Sequence, residues 1–168
     1  MPELTFRLLE DQDARIYQDL RLEALRESPK SFAATYEEDA VKTEADFVLR
    51  LNNDFAVGCF HAQTLVGSAD FYVPDAHRSK LSHKGVIAGF FVRPKYRGTS
   101  AASGMVKEIV THLPDSVTQL HLSVLANSPR AVAFYEKAGF IAWGTEPKGS
   151  KHEGTYLDEL HMVRMLDD

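Results

Sequence analysis

The feature that most constrains this chain is the segment Gly85 to Val110, GVIAGFFVRPKYRGTSAASGMVKEIV. An uncharged apolar run, Gly85 to Val92, breaks at Arg93-Pro94, crosses a basic turn ending at Arg97-Gly98, and enters a helical pattern. It reads as strand, loop, helix. Ala102, Met105, Val106, Ile109, Val110 and Leu113 recur at one face of a 3.6-residue period, and Pro114 is expected to stop the helix. The first NH groups of a helix have no partner inside it, and the helix dipole places partial positive charge there. Gly98, Thr99, Ser100, Ala101 and Ala102 carry no bulky side chain, so a diphosphate can approach their amides, with Arg93, Lys95 and Arg97 adding charge nearby. The same pattern also describes a tight strand-to-helix turn that binds nothing.

Composition narrows the field. At 168 residues, 44% hydrophobic with 10 Phe, the chain is expected to form one domain, 1–168, with a proper core. Its 19 Lys+Arg against 24 Asp+Glu give a formal charge of -5, which argues against nucleic-acid or membrane partners and confines any anion site to a local basic patch. The single Cys59 leaves no internal disulfide, and its flanks Val57-Gly58 and Phe60 suggest a buried strand. The N-terminus lacks the pattern of a signal peptide, and no segment approaches the roughly 18–20 apolar residues that cross a bilayer, so the expectation is a soluble, cytoplasmic protein. No metal is expected, because the seven histidines show no H-x-H or H-E-x-x-H spacing.

In chain order, Leu4 to Leu9 reads as a strand and Asp13 to Arg26 as a helix ended by Ser28-Pro29. SFAATYEEDAVKTEADFVLRL reads as two helical pieces, with Thr43 capping the second. Asp54 to Ala62 and Leu65 to Val73 form a hairpin turning at Gln63-Thr64, and 75–84 is a polar loop. Gln119 to Ala126 is a strand parallel to the central one, because a helix makes the crossover. NSPRAVAFYEKAGF is a helix with Ser128 as N-cap, Pro129 at its first position and Gly139 past its end. Ile141 to Thr145, a loop from Lys148 to Gly154 and a strand from Thr155 close the chain as a hairpin. The fold class is α/β (α+β): a mixed, mostly antiparallel sheet, splayed at a parallel pair and flanked by helices.

VRPKYRGTSAASGMV, LHLSVLA and NSPRAVAFYEKAGF together, in this order and spacing, resemble the cofactor-binding half of the GCN5-related N-acetyltransferases, which have the acyl-CoA N-acyltransferase fold. The resemblance implies that Arg97, Gly98, Thr99, Ser100, Ala101 and Ala102 form the pyrophosphate loop, pattern R-x-x-G-x-G/A. It implies that Phe91 and Val92 offer backbone groups to the pantetheine arm, that Asn127 contacts acetyl-CoA, and that Tyr135 is the general acid. Read without the resemblance, Tyr135 is a core aromatic at helical spacing. The family's second loop glycine is Ser100 here: if that position is helical Ser fits, and if it needs positive φ cofactor affinity drops. Ala101-Ala102-Ser103 favours the first.

Acetyl transfer needs a held donor, a neutral amine, stabilisation of the oxyanion near Phe91 or Val92, and a proton for the leaving thiolate. Many relatives place a Glu on the central strand as base, and VIAGFFV has none. The candidates are Glu37 or Glu38, and His83 at the mouth of the strand. Glu37 and Glu38 also suggest binding of a cationic acceptor, although an acidic cluster is commonly a solvated face. The expected activity is transfer from acetyl-CoA, as co-substrate, to a primary amine of a small molecule or a peptide N-terminus, and the resemblance admits a homodimer. The rival readings are a cofactor-binding module of the same fold without turnover, motivated by Ser100 and the missing carboxylate, and an interaction domain without cofactor.

Overall fold

The computed structural model describes residues 2–166. The chain divides into two compact units, one running to Tyr72 and including Gly89–Leu113, the other made of Val73–Ala88 and the residues from Pro114 onward.

The first unit holds strand β1 (Leu4–Leu8), helices α1 (Ala14–Glu27), α2 (Tyr36–Ala40) and α3 (Glu44–Asn53), and strands β2 (Phe55–His61) and β3 (Thr64–Tyr72). Thr35 and Thr43 begin α2 and α3 with capping boxes, each hydroxyl accepting the amide three residues on while Glu38 and Asp46 reach back. The β2–β3 turn lies at Ala62-Gln63, one residue before the expected Gln63-Thr64: Ala62 itself takes the left-handed conformation, φ 53°, which leaves Thr64 to pair with His61. The second half of β4 (Lys84–Val92) and helix α4 (Ala101–Thr111) complete the unit.

Its core joins Tyr17, Leu20 and Ala24 of α1 and Phe47 of α3 to Ala56, Phe60, Leu65 and Phe91 from the strands. Each large apolar side chain so buried stabilises by about 1.5–3 kcal/mol. Helix α4 packs on β1, β2 and β3 through Ala101, Met105, Val106 and Ile109. The expected stripe through Ala102, Val110 and Leu113 is only partly buried. Close approach explains the rotation: a Cβ at Gly104 would stand 2.1 Å from the Phe6 ring, so the Ala101–Gly104 side is drawn onto the sheet. The helix ends at Thr111, ahead of Pro114, where the His112 amide turns back onto the Ile109 and Val110 carbonyls.

The second unit contains the start of β4, strand β5 (Gln119–Leu125), helix α5 (Pro129–Lys137), and strands β6 (Ile141–His152) and β7 (Thr155–Met165). The parallel β4–β5 ladder runs only from Lys84↔Gln119 to Val86↔His121. Helix α5 has Pro129 at its first turn and Gly139 at φ 92° beyond its end, although the Ser128 hydroxyl makes no capping bond. The loop expected over Lys148 to Gly154 is instead mostly strand. After an irregularity between Glu146 and Ser150, where Lys148 is left-handed at φ 55° and its amide donates to Asp158, pairing resumes at Ser150↔Leu157. Glu153 (φ 47°) and Gly154 (φ 80°) then make the tight turn into β7.

The strand order is β1-β2-β3-β4-β5-β7-β6, mostly antiparallel with the one parallel pair β4–β5 and helices alongside, as the sequence leads one to expect. Among the described residues no helix is long and apolar enough to cross a membrane. Cys59, in the middle of β2, is fully buried, and burial pushes its thiol pKa up to about 11.

Candidate active site

After β4, a 3-10 turn, Pro94–Tyr96, is pinned by the Tyr96 hydroxyl, 2.8 Å from His61 Nδ1. The Thr99 hydroxyl donates to the Tyr96 carbonyl and accepts the Ala101 amide at 3.2 Å. Gly98 sits at φ 75° with nothing within 4 Å of the place a Cβ would take, so its backbone conformation, not its space, requires glycine. Ser100 has φ -77° and ψ 3°, and its carbonyl accepts the Gly104 amide at 2.8 Å, opening the α4 ladder. The serine at the family's second glycine therefore occupies backbone that any residue can adopt. The head of α4 keeps the positive end of its dipole directed at a turn shaped by Gly98 and free of bulky side chains.

The two arginines of this turn are engaged elsewhere. Arg93 Nε lies 3.1 and 3.0 Å from the two carboxylate oxygens of Glu23. Arg97 forms a two-pronged pair with Glu27, at 3.1 and 2.8 Å, and its Nε donates to the Val92 carbonyl at 2.9 Å. The Arg97 guanidinium, with the Ser28 hydroxyl, holds the Glu27 carboxyl below its ordinary pKa. Glu23 and Glu27, with Asp19, Leu22, Arg26 and Tyr36, line an open groove of about 640 Å³ along α1.

A second polar site lies under β3 and β4. Gly89 interrupts β4 with φ 59°, and a Cβ there would stand 2.6 Å from Asp70 Oδ2 and 3.3 Å from Arg21 Nη1. The Tyr17 hydroxyl donates to Asp70 Oδ1 at 2.6 Å. Asp70 retains an opening to solvent, yet loss of hydration raises its pKa against the opposing pull of Tyr17, Arg21 and Arg50. Burial together with Asp70 also holds the Tyr17 phenol well above its usual pKa. Asp39, fully buried, behaves in the opposite way: desolvation works against its charge, but Arg21 at 2.8 Å, Lys42 at 2.7 Å and Arg50 at 3.7 Å outweigh it and lower the pKa.

Glu37 is exposed on α2, and the Glu38 carboxylate accepts the Thr35 amide at 2.7 Å in the capping box. In the second unit, the carbonyl of His83 accepts the Thr118 and Gln119 amides, and its ring stands near enough to His121 to help lower that residue's pKa, after burial and Lys84. Asn127 is exposed in the turn after β5. Tyr135 is 9% exposed and packs edge-on against Phe134 and Phe140, with ring centroids 5.1 and 5.8 Å away, and burial raises its pKa. Among the described residues no group of three or more His, Cys, Asp or Glu is arranged to hold a metal ion.

The model of the acetyltransferase (GNAT) family matches residues 15–140, three quarters of the chain. The chain belongs to the GNAT family. Its fold is similar to that of a GNAT-family acetyltransferase from Streptococcus pneumoniae, at 19% identity and a TM-score of 0.86 over 98% of this chain and 99% of that one. It is similar to yncA of Salmonella typhimurium, solved with its cofactor acetyl-CoA, at 13% identity and a TM-score of 0.79 over 99% and 95%. It is also similar to a ribosomal-protein-alanine N-acetyltransferase from Brucella melitensis, at 17% identity and a TM-score of 0.78 over 96% and 99%. No curated protein matches the sequence.

For this GNAT chain, the structure gathers Gly98, Thr99, Ser100, Ala101 and Ala102 at one helix head, with Phe91, Val92 and Arg97 beside them in the same unit. Glu38 is committed to its cap, and His83 precedes Phe91 by eight residues at the other end of β4. Sequence reasoning passed over Asp70, placed Tyr17 only on the inward side of its helix, and counted Asp39 with Glu37 and Glu38 in an acidic cluster, whereas Asp39 is fully buried. Asp70 lies in SADFY, whose alternation conveys only a strand, and the glycine that makes room for it is nineteen positions away.

Proposed function

We propose that this GNAT protein transfers the acetyl group of acetyl-CoA to a primary amine of a small molecule or a peptide N-terminus by direct attack in a ternary complex. The observation that carries the reading is the head of α4. Gly98 in the left-handed conformation and Ser100 at an ordinary negative φ leave short side chains around the amides that would meet a diphosphate. Arg97, exchanging Glu27 for a phosphate, adds a bidentate charge. When bound, acetyl-CoA supplies the activated acyl carbon. Phe91 and Val92 offer backbone groups to the pantetheine arm and to the negative charge that grows on the acyl oxygen, and Asn127 contributes a side-chain contact. Tyr135, kept as a neutral phenol by burial, gives its proton to the departing thiolate. Glu37, exposed on α2, favours a cationic acceptor.

The test is release of free coenzyme A from acetyl-CoA with lysine, spermidine, kanamycin and an alanine-initiated tetrapeptide as acceptors. Saturable release above the uncatalysed rate with one of them is the expected result. Binding of acetyl-CoA by calorimetry without release for any acceptor would leave the non-catalytic module as the better description.

A further inference from the structure

The carboxylate that the central strand lacks in sequence is supplied from the neighbouring strand: we propose that Asp70 is the general base that takes the proton of the acceptor ammonium. The inference rests on the acetyltransferase reading above. Three observations carry it. First, Asp70 Oδ2 lies directly against the bare backbone of β4 at Gly89, where a Cβ would stand only 2.6 Å from it, so the glycine is what lets the carboxylate reach the central strand. Second, Gly89 precedes Phe91 by two residues, which in a strand is about 7 Å, so the carboxylate is near the backbone assigned to the acyl oxygen. Third, the charges permit it. Arg21 and Arg50 both favour the ionised carboxylate that a base needs, against the loss of hydration and the neighbouring Asp54 that oppose it. The groups facing it are Tyr17 and Arg21 from α1, Arg50 from α3 and Asp54 after it, while Arg21 is itself fixed by Asp39 of α2. Desolvation lifts Asp70 toward the basicity that proton abstraction requires.

The step balances. An N–H bond of the ammonium breaks, its electron pair stays on nitrogen and an O–H bond forms on Asp70. The amine then bonds to the acyl carbon, the C–S bond breaks with its pair going to sulfur, and Tyr135 protonates the sulfur. The second amine proton leaves as the amide forms and restores Tyr135 through solvent, while Asp70 returns its proton to water.

The test is Asp70→Asn, assayed with acetyl-CoA and whichever amine of the panel the native enzyme accepts. Turnover should fall about 100- to 1000-fold with acetyl-CoA affinity by calorimetry within twofold of native. The remaining rate should rise tenfold per pH unit up to the pKa of the amine, because only the already neutral fraction reacts. Tyr17→Phe gives a second readout: loss of the hydrogen bond to the carboxylate should move the acidic limb of the native pH profile upward. Native turnover in Asp70→Asn, or an unmoved limb in Tyr17→Phe, overturns the base while leaving the reaction standing. No release by the native enzyme with any amine overturns the reaction and the base together.

Discussion

Tyr135 and Asp70 are both ionisable groups that burial biases toward holding their protons, and their proposed roles use that bias in opposite directions. Burial keeps the Tyr135 proton in place until the thiolate departs while making the phenol a weaker acid, and with that donor removed Tyr135→Phe should lower kcat about 10- to 1000-fold with little change in acetyl-CoA affinity. Native turnover in that variant would reduce the tyrosine to a packing partner of Phe134 and Phe140. For Asp70 the same bias carries a stability cost. Its folded pKa lies above the unfolded value near 3.9, so the folded state binds more protons between the two, and stability falls as pH rises through that window. Asp39, held below its ordinary value, works the other way and loses its contribution only as pH drops beneath that range. Asp70→Asn should therefore match or exceed native stability in urea denaturation at pH 7 and show a flatter pH dependence above pH 4. A clear destabilisation at pH 7 would mean that the ionised carboxylate is a structural asset.

At the level of elements, α1 stands against the basic turn, and its Glu23 and Glu27 hold the arginines that a phosphate would recruit. The Arg97–Glu27 pair is roughly half exposed on both sides, and pairs of that kind contribute about 0.2–1 kcal/mol. Glu27→Gln should accordingly tighten acetyl-CoA binding by no more than about fivefold, most at low salt; isothermal titration across ionic strengths reads this, and weaker binding would contradict the exchange. This competition was beyond sequence reasoning, because seventy residues separate each arginine from its glutamate. What was legible was local. The strand-loop-helix run, the Thr43 cap and the Pro129 and Gly139 boundaries each follow from a few adjacent residues. Misread elements were those decided by neighbours: the inward face of α4, set by Phe6 against Gly104, and β6, whose largely exposed residues leave no apolar alternation to reveal a strand. Asp70 belongs with these, since its meaning comes from Tyr17 and Gly89.

For the whole molecule, a ligand that binds only the folded chain stabilises it by mass action. Acetyl-CoA at a hundred times its Kd adds about 2.7 kcal/mol, and in a chain of this length each kcal/mol moves Tm by about 2–4 °C. A rise of about 5–10 °C by scanning fluorimetry is the expected outcome, and an unmoved Tm would remove the cofactor site. The interior position of Cys59 has a practical corollary. With its sulfur sealed among the strands and reluctant to ionise, the native enzyme adds no colour of its own when a disulfide reagent counts liberated coenzyme A. The speed at which an alkylating agent eventually finds that one atom becomes a clock for how often the middle of the sheet comes apart.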